Sequence, residues 1–459
     1  MDSLPPAIPP LAPRERPTAA WLLAALREAR VRTLSLIADL DDSQLMGPRL
    51  SIVNPLLWEI GHLAWFQEHW TLRVLRGEPP RLPHGDALYD SAAVPHDDRW
   101  ELPLPGREGT LAFMEAVLDT VAARLTREGS TDLRNDEIYY HLLALNHEDM
   151  HAEAFLYTRQ TLGYPPPSLA SGPRPVPPSS DSSAGGDVEI PGGHVLLGAP
   201  PGPGFVFDNE KWEHPVRLLP FAIARRAVTQ GEFAQFVDAA GYRRREWWTD
   251  AGWSWRTASA ASHPVYWQRE DGWQHRRFDR IVPLEPDLPI LHVNAYEADA
   301  YCRWAGRRLP TEAEWELAAA GAGNAGAPRA KRTYPWGESP PDPARANLDA
   351  AHGGTLPVGA LPSGDSAWGC RQMIGNVWEW TASRFLPYPG FVIDPYREYS
   401  RPWFSTHRVL RGGCWATRAR LIRNSWRNFY TPDRNDVWCG FRTCAPRLTH
   451  GRETPRSGL

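Results

Sequence analysis

The chain has 459 residues, enough for two or three domains at roughly 100–200 residues each and too many for a disulfide-stapled miniature fold. Hydrophobic residues make up 42% and charged residues 23%, which excludes a largely disordered chain. A net charge of −4, from 50 basic and 54 acidic residues, leaves no electrostatic footprint for nucleic acid or an anionic membrane.

Met1 to Pro17 has neither a basic start nor an apolar stretch, and no apolar run approaches the roughly 18 residues of a membrane span, so a cytoplasmic location is expected. From Thr18 to Leu40, Asn54 to Arg76, Gly109 to Glu128 and Asp136 to Leu162, apolar residues recur at helical spacing. Four such segments predict a four-helix bundle over 1–163. Residues 164–187 are dense in Pro, Ser and Gly and read as an extended linker. From 188 to 447 the chain turns to short apolar runs broken by Gly, Pro and Trp, followed by a tail at 448–459. Two helices are expected there, Gln230 to Ala239 and Thr311 to Ala320. The second opens with Thr311-x-x-Glu314, in which hydroxyl and carboxylate each satisfy an orphan amide. Trp247 to Arg280 reads as a long irregular loop. The 46 prolines and 22 tryptophans suggest a loop-rich domain with an aromatic-lined site. The five cysteines form no CxxC pair and are expected to be reduced, with Cys414 a buried structural thiol.

The fourth predicted helix contains His147-Glu148-Asp149-Met150-His151-Ala152-Glu153. Residues four apart lie one turn above each other, so the two imidazoles can share one ion. Glu153 sits about 200° around the helix from His151 and is expected in a supporting or helix-to-helix role. The second helix is almost wholly apolar around His62, and a buried neutral histidine needs a partner. A first-row ion such as Fe(II) or Zn(II), shared by His62, His147 and His151, provides one. Glu59 keeps a two-histidine, one-carboxylate site open, while His69 and His141 read as polar surface positions.

Val228-Thr229-Gln230-Gly231-Glu232-Phe233, Arg308 to Glu316, Tyr334-Pro335-Trp336-Gly337, Gly375-Asn376-Val377-Trp378-Glu379-Trp380, Val409-Leu410-Arg411-Gly412-Gly413 and Gly440-Phe441-Arg442 resemble the formylglycine-generating-enzyme fold, a C-type-lectin-like domain. The cysteine pair that follows the Arg-Gly-Gly string in those enzymes is missing, which argues against sulfatase activation. Joined to a DinB-like bundle carrying His62 and His147-x-x-x-His151, the chain resembles the iron-dependent sulfoxide synthases of ergothioneine biosynthesis, and an α+β fold with a bundle followed by a lectin-like domain is implied. In that family three histidines bind Fe(II), and dioxygen is used to join a thiol to the imidazole C2 of hercynine, the trimethylated betaine of histidine. The resemblance assigns the metal to His62, His147 and His151. It places the proton-donating tyrosine at Tyr396, with Tyr399 second, and substrate contacts at Arg99, Met150, Asn428, Phe429, Tyr430 and Arg434.

Two departures bear on the donor. Met150 stands where thiol-using relatives have glutamine, and Asn428-Phe429-Tyr430 stands where they have Asn-Trp-Asp. The string from His147 to Pro165 resembles most the selenoneine-forming branch, whose members join a selenosugar to hercynine through a C–Se bond, with cysteine or γ-glutamylcysteine as the alternative donor. Related lectin-like domains also bind calcium, which would fall near Gly375, Val377 and Glu379, although Gln372 replaces a usual asparagine there. A ligand-binding module without chemistry and a zinc-dependent thiol transferase are the competing readings.

Overall fold

The computed structural model describes residues 8–12, 15–128, 133–169, 185–202, 204–321 and 331–447. Most of the predicted linker, residues 170–184, and the tail 448–459 lie outside the described residues. The fold is α+β.

The bundle is built from α1 (Ala19–Ser35), α3 (Leu56–Glu68), α5 (Arg107–Glu128) and α6 (Asn135–Leu162), with two short helices, α2 (Asp42–Met46) and α4 (Gly85–Tyr89), in the connections. Thr18 starts α1 by accepting the amide of Trp21, and Asp41 with Gln44 forms a reciprocal cap on α2. All of α3 is buried, as its apolar run requires, and it continues into a π-helical turn, His69–Val74. Gly163, at φ 69°, ends α6 in the left-handed conformation that glycine adopts without a Cβ clash.

In the C-terminal half, β1 (Asp187–Ile190) pairs with β4 (Phe221–Ala224), and β2 (Gly193–Leu197) with β3 (His214–Leu218). The central sheet has the order β10-β9-β8-β11, using Asn428–Tyr430, Arg408–Arg411, Trp378–Arg384 and Cys439–Gly440. Only β11 runs parallel to its neighbour within that sheet. The helices α7 (Gln230–Asp238) and α10 (Glu312–Ala320) form where expected, each under a Thr-x-x-Glu capping box.

The expectation of only two helices here is corrected. Trp247 to Arg280 is not a loop: it holds α8 (Asp250–Ala258), β5 (Trp267–Glu270) and β6 (Gly272–Arg277), and leads into β7 (Arg280–Pro283). A further helix, α9 (Ala295–Trp304), starts at Asn294, which caps it reciprocally with Glu297. Several tryptophans act as pegs through their indole N–H. Trp315 donates to Glu379 at 2.7 Å, Trp380 to the Val293 carbonyl at 2.9 Å, and Trp378 to Glu153 of the bundle at 2.7 Å. One hydrophobic core runs through both halves, from Trp58, Phe66 and Phe155 to Phe207, Trp378 and Trp438.

Candidate metal centre

The centre forms where α3 and α6 face each other. His62 is buried, and its Nδ1–H donates to the carbonyl of Tyr89 at 2.7 Å. That bond fixes the tautomer and leaves the Nε2 lone pair free. The carbonyl reaches it because Gly61 has no side chain. A Cβ there would lie 2.3 Å from the Tyr89 ring. On α6, His147 and His151 present their rings from successive turns, with centroids 4.6 Å apart. His62 Nε2 lies 3.3 Å from His147 Nε2, and the ligating atoms of all three histidines fall within 4.8 Å of one another.

The His62–His147 spacing fits a shared metal ion. Two nitrogens each about 2.1 Å from one ion are roughly 3.0–3.4 Å apart at ligand angles of 90–110°. Ligation also needs neutral imidazoles. Burial holds His62 down to about 3 and pushes His147 well below its usual range. Glu59 lies 3.6 Å from His151 Nδ1, beyond hydrogen-bond reach, and accepts instead from Asn54 at 3.0 Å. It is not part of the three-histidine cluster.

Aromatic rings wall the centre. Phe66 stacks on His147 at 3.6 Å, and Trp58 stacks on His62 at 4.9 Å. Tyr396 meets Phe66 edge-on at 5.0 Å, with its ring 6.2 Å from His147. Burial raises its phenol above the usual value, so it stays protonated at neutral pH. Tyr399 stands one step further out. Its hydroxyl points at Met150 Sδ, 3.7 Å away, and its ring stacks on Phe207 at 4.2 Å.

The remaining predicted contacts fall into two groups. Arg99 is buried, stacked 3.9 Å over Trp58, and donates to Asn54 at 2.7 Å. Phe429 stacks on Phe385 at 4.0 Å, beside Tyr399 at 5.8 Å. Arg434 lies 5.1 Å over the Tyr430 ring and forms a two-pronged pair with Asp436 at 2.6 and 2.7 Å. Asn428 uses its side-chain oxygen to accept the Phe429 amide at 2.8 Å.

Two expectations are corrected. His141 is not at the surface: it is buried, with Nδ1 donating to the Glu137 carbonyl at 2.7 Å. His69 is half-buried and stacks on Trp65 at 5.1 Å. At the position expected for calcium, the Glu379 carboxylate is held by Arg442 at 2.6 and 2.7 Å and by Trp315. Tyr388 packs on Arg427 and donates to Glu312 at 2.6 Å. Cys414 is buried and its thiol is pushed well above the usual value, as a structural cysteine. Sequence reasoning missed Tyr89 and Phe66. Phe66 follows His62 by four residues, and that spacing was the available signal.

Comparison with known proteins yields the following. Residues 173–446 match the sulfatase-modifying factor enzyme 1-like domain, and residues 25–155 match the DinB superfamily. The chain is 38% identical over 441 residues to the hercynine oxygenase of Mycolicibacterium thermoresistibile, covering 93% of this chain and 95% of the relative. It is 37% identical over 428 residues to that of Mycobacterium tuberculosis, covering 92% and 97%. The formylglycine-generating enzyme of Streptomyces coelicolor is 35% identical, over 61% of this chain and 95% of its own length.

Proposed function

We propose, from the premise that this chain belongs to the hercynine oxygenase family, that it is an iron-dependent oxygenase joining a sulfur or selenium donor to the imidazole C2 of hercynine. The observation that carries this reading is the convergence of three imidazoles beside a protonated tyrosine. His62, His147 and His151 would hold the ion, which when bound supplies the redox partner for dioxygen. With a thiol donor the balance is hercynine C2–H plus R–SH plus O2 giving C2–S(O)–R plus water.

The chain's own residues bind, orient and hold a proton. Tyr396 keeps its phenolic proton at the edge of the centre, where it can be given to reducing oxygen. Phe66 and Trp58 stack on two of the imidazoles and exclude water from that side. A trimethylammonium group is bound by aromatic faces, and Tyr396, its ring 6.2 Å from His147, offers one there.

A thiol amino acid is the first reading for the donor. A selenosugar is the second, favoured by one observation: both arginines assigned to substrate already have partners. Arg434 is neutralised by Asp436, and Arg99 is buried against Trp58 and Asn54. An uncharged donor asks neither to release its partner. The test is competition: hercynine, Fe(II) and air with cysteine, γ-glutamylcysteine and a selenosugar at equal concentration, products read by mass. A hercynyl adduct of any donor supports the oxygenase, and the dominant adduct assigns the donor. Absence of every adduct would overturn the reading.

A further inference from the structure

The segment of α6 that carries the two histidines is gripped from behind. Asp149 follows His147 by two residues and Glu153 follows His151 by two, each about 200° round the helix from its histidine. Asp149 and Glu153 are therefore one turn apart on the face opposite the imidazoles. A single loop of the C-terminal domain holds both. Arg420 makes a two-pronged bond to Asp149 at 2.5 and 2.6 Å, and Arg418 approaches the same carboxylate at 3.4 Å. Thr417, adjacent in that loop, donates to Glu153 at 2.5 Å, while Trp378 donates to its other oxygen.

The loop is itself anchored. Arg418 and Arg420 both bind Glu28 of α1, at 2.6 and 2.7 Å, and Arg418 binds Asp349 at 2.8 Å. Arg32 of α1 donates to the Asp349 carbonyl at 2.9 Å. The carboxylates of Glu28, Asp149 and Asp349 thus face the guanidiniums of Arg418 and Arg420. Buried charges of this kind hold geometry well only when every member is paired. The sides of the helix are also occupied. Glu148 bonds Arg30 at 2.8 Å and Thr33 at 3.0 Å, and Met150 meets Tyr399.

We infer that Thr417, Arg418 and Arg420 of the C-terminal domain, acting on Glu153 and Asp149, are positioning residues that set the rotation of α6 and so aim His147 and His151 at a shared ion. Rotation about the helix axis is the motion that would separate these imidazoles from His62, and two attachments on the reverse face resist it. The inference rests on the triad being a metal site. It makes the second domain part of the ligand-holding machinery as well as a cover for substrates.

The experiment is a Co(II) titration of the full chain followed by visible absorption, which reports coordination geometry, with product formed per O2 measured on Fe(II)-loaded protein. Far-ultraviolet dichroism confirms folding. Arg420→Gln and Thr417→Val are expected to weaken Co(II) binding about 10–100-fold, as loss of supporting partners does, to alter the spectrum, and to lower product per O2. Thr417→Ser, which keeps the hydroxyl, is expected to restore all three. Thr417→Val makes no change in charge and keeps the test informative if Arg420→Gln does not fold. Wild-type affinity and spectrum in folded Thr417→Val and Arg420→Gln would overturn the positioning role and leave the metal reading standing. Failure of the wild type to bind Co(II) or Fe(II) would overturn both.

Discussion

At the scale of single residues, the site depends on which nitrogen of each histidine is free. His62 offers Nε2 because its Nδ1–H is committed to the Tyr89 carbonyl, so the ligand is oriented before any ion arrives. His147→Ala or His151→Ala is expected to abolish both metal binding and turnover, checked by metal analysis and oxygen uptake, since the two imidazoles that remain, His62 on α3 and one on α6, leave the ion under-coordinated. Tyr396 has a different role. Its ring lies against Phe66 and His147 but outside the histidine cluster. Tyr396→Phe should therefore keep iron and hercynine affinity within a few-fold while losing most coupled product, with oxygen still consumed. If Tyr399→Phe loses coupling instead, the proton donor is the tyrosine beside Met150.

At the scale of elements, α3 and α6 were legible in the sequence, but the surroundings of α6 were not. The His147-x-x-x-His151 spacing and the lone histidine of an apolar helix point to the triad without any structure, because helical periodicity brings the first two rings together and a buried third histidine needs a partner. The misreading of His141 has a physical reason. The helix carries charges on nearly every side, which reads as solvent exposure, yet Glu148, Asp149 and Glu153 are all buried by partners from α1 and from the second domain. Long-range pairing of this kind leaves no local periodic trace. The helix α9 was within reach, since Asn294-x-x-Glu297 is a capping-box pattern of the type used to find α10. The β5–β7 segment was harder, because its strands carry mixed polar and aromatic residues with no clean alternation. Gly61 shows how an element serves the site: mid-helix glycine costs about 1 kcal/mol relative to alanine, yet it admits Tyr89. Gly61→Ala is expected to displace the Tyr89 ring and weaken metal binding at least several-fold, measured by the same Co(II) titration. Unchanged affinity would show that the Tyr89 carbonyl is not needed to orient His62.

At the scale of the whole molecule, no described helix is long and apolar enough to cross a membrane. The two halves share one core, so stability and pH response belong to the chain as a unit. Buried neutral histidines set part of that response. Burial lowers His292, in the C-terminal half, to about 3. Below pH 6.5 the unfolded chain takes up a proton at this position and the folded chain does not, so protons favour unfolding. The residue removes at most about 1.4 kcal/mol of stability per pH unit between 6.5 and 3, and nothing above 6.5. His292→Gln should therefore flatten the fall in melting temperature between pH 6.5 and 4 relative to the wild type, while leaving the difference between them constant above pH 7. A wild-type advantage over His292→Gln that shrinks as pH rises from 4 to 6.5 would have the wrong sign.

The central claim, that the three-histidine centre directs oxidation to the imidazole C2 of hercynine, is tested most directly with hercynine deuterated at C2. Fe(II)-loaded protein, air and the competing donors are incubated with the labelled substrate, and the adduct is read by mass. The account predicts a hercynyl adduct that has lost its deuterium, formed by the wild type and absent with His147→Ala. An adduct that retains deuterium, or one formed equally by His147→Ala, would contradict it.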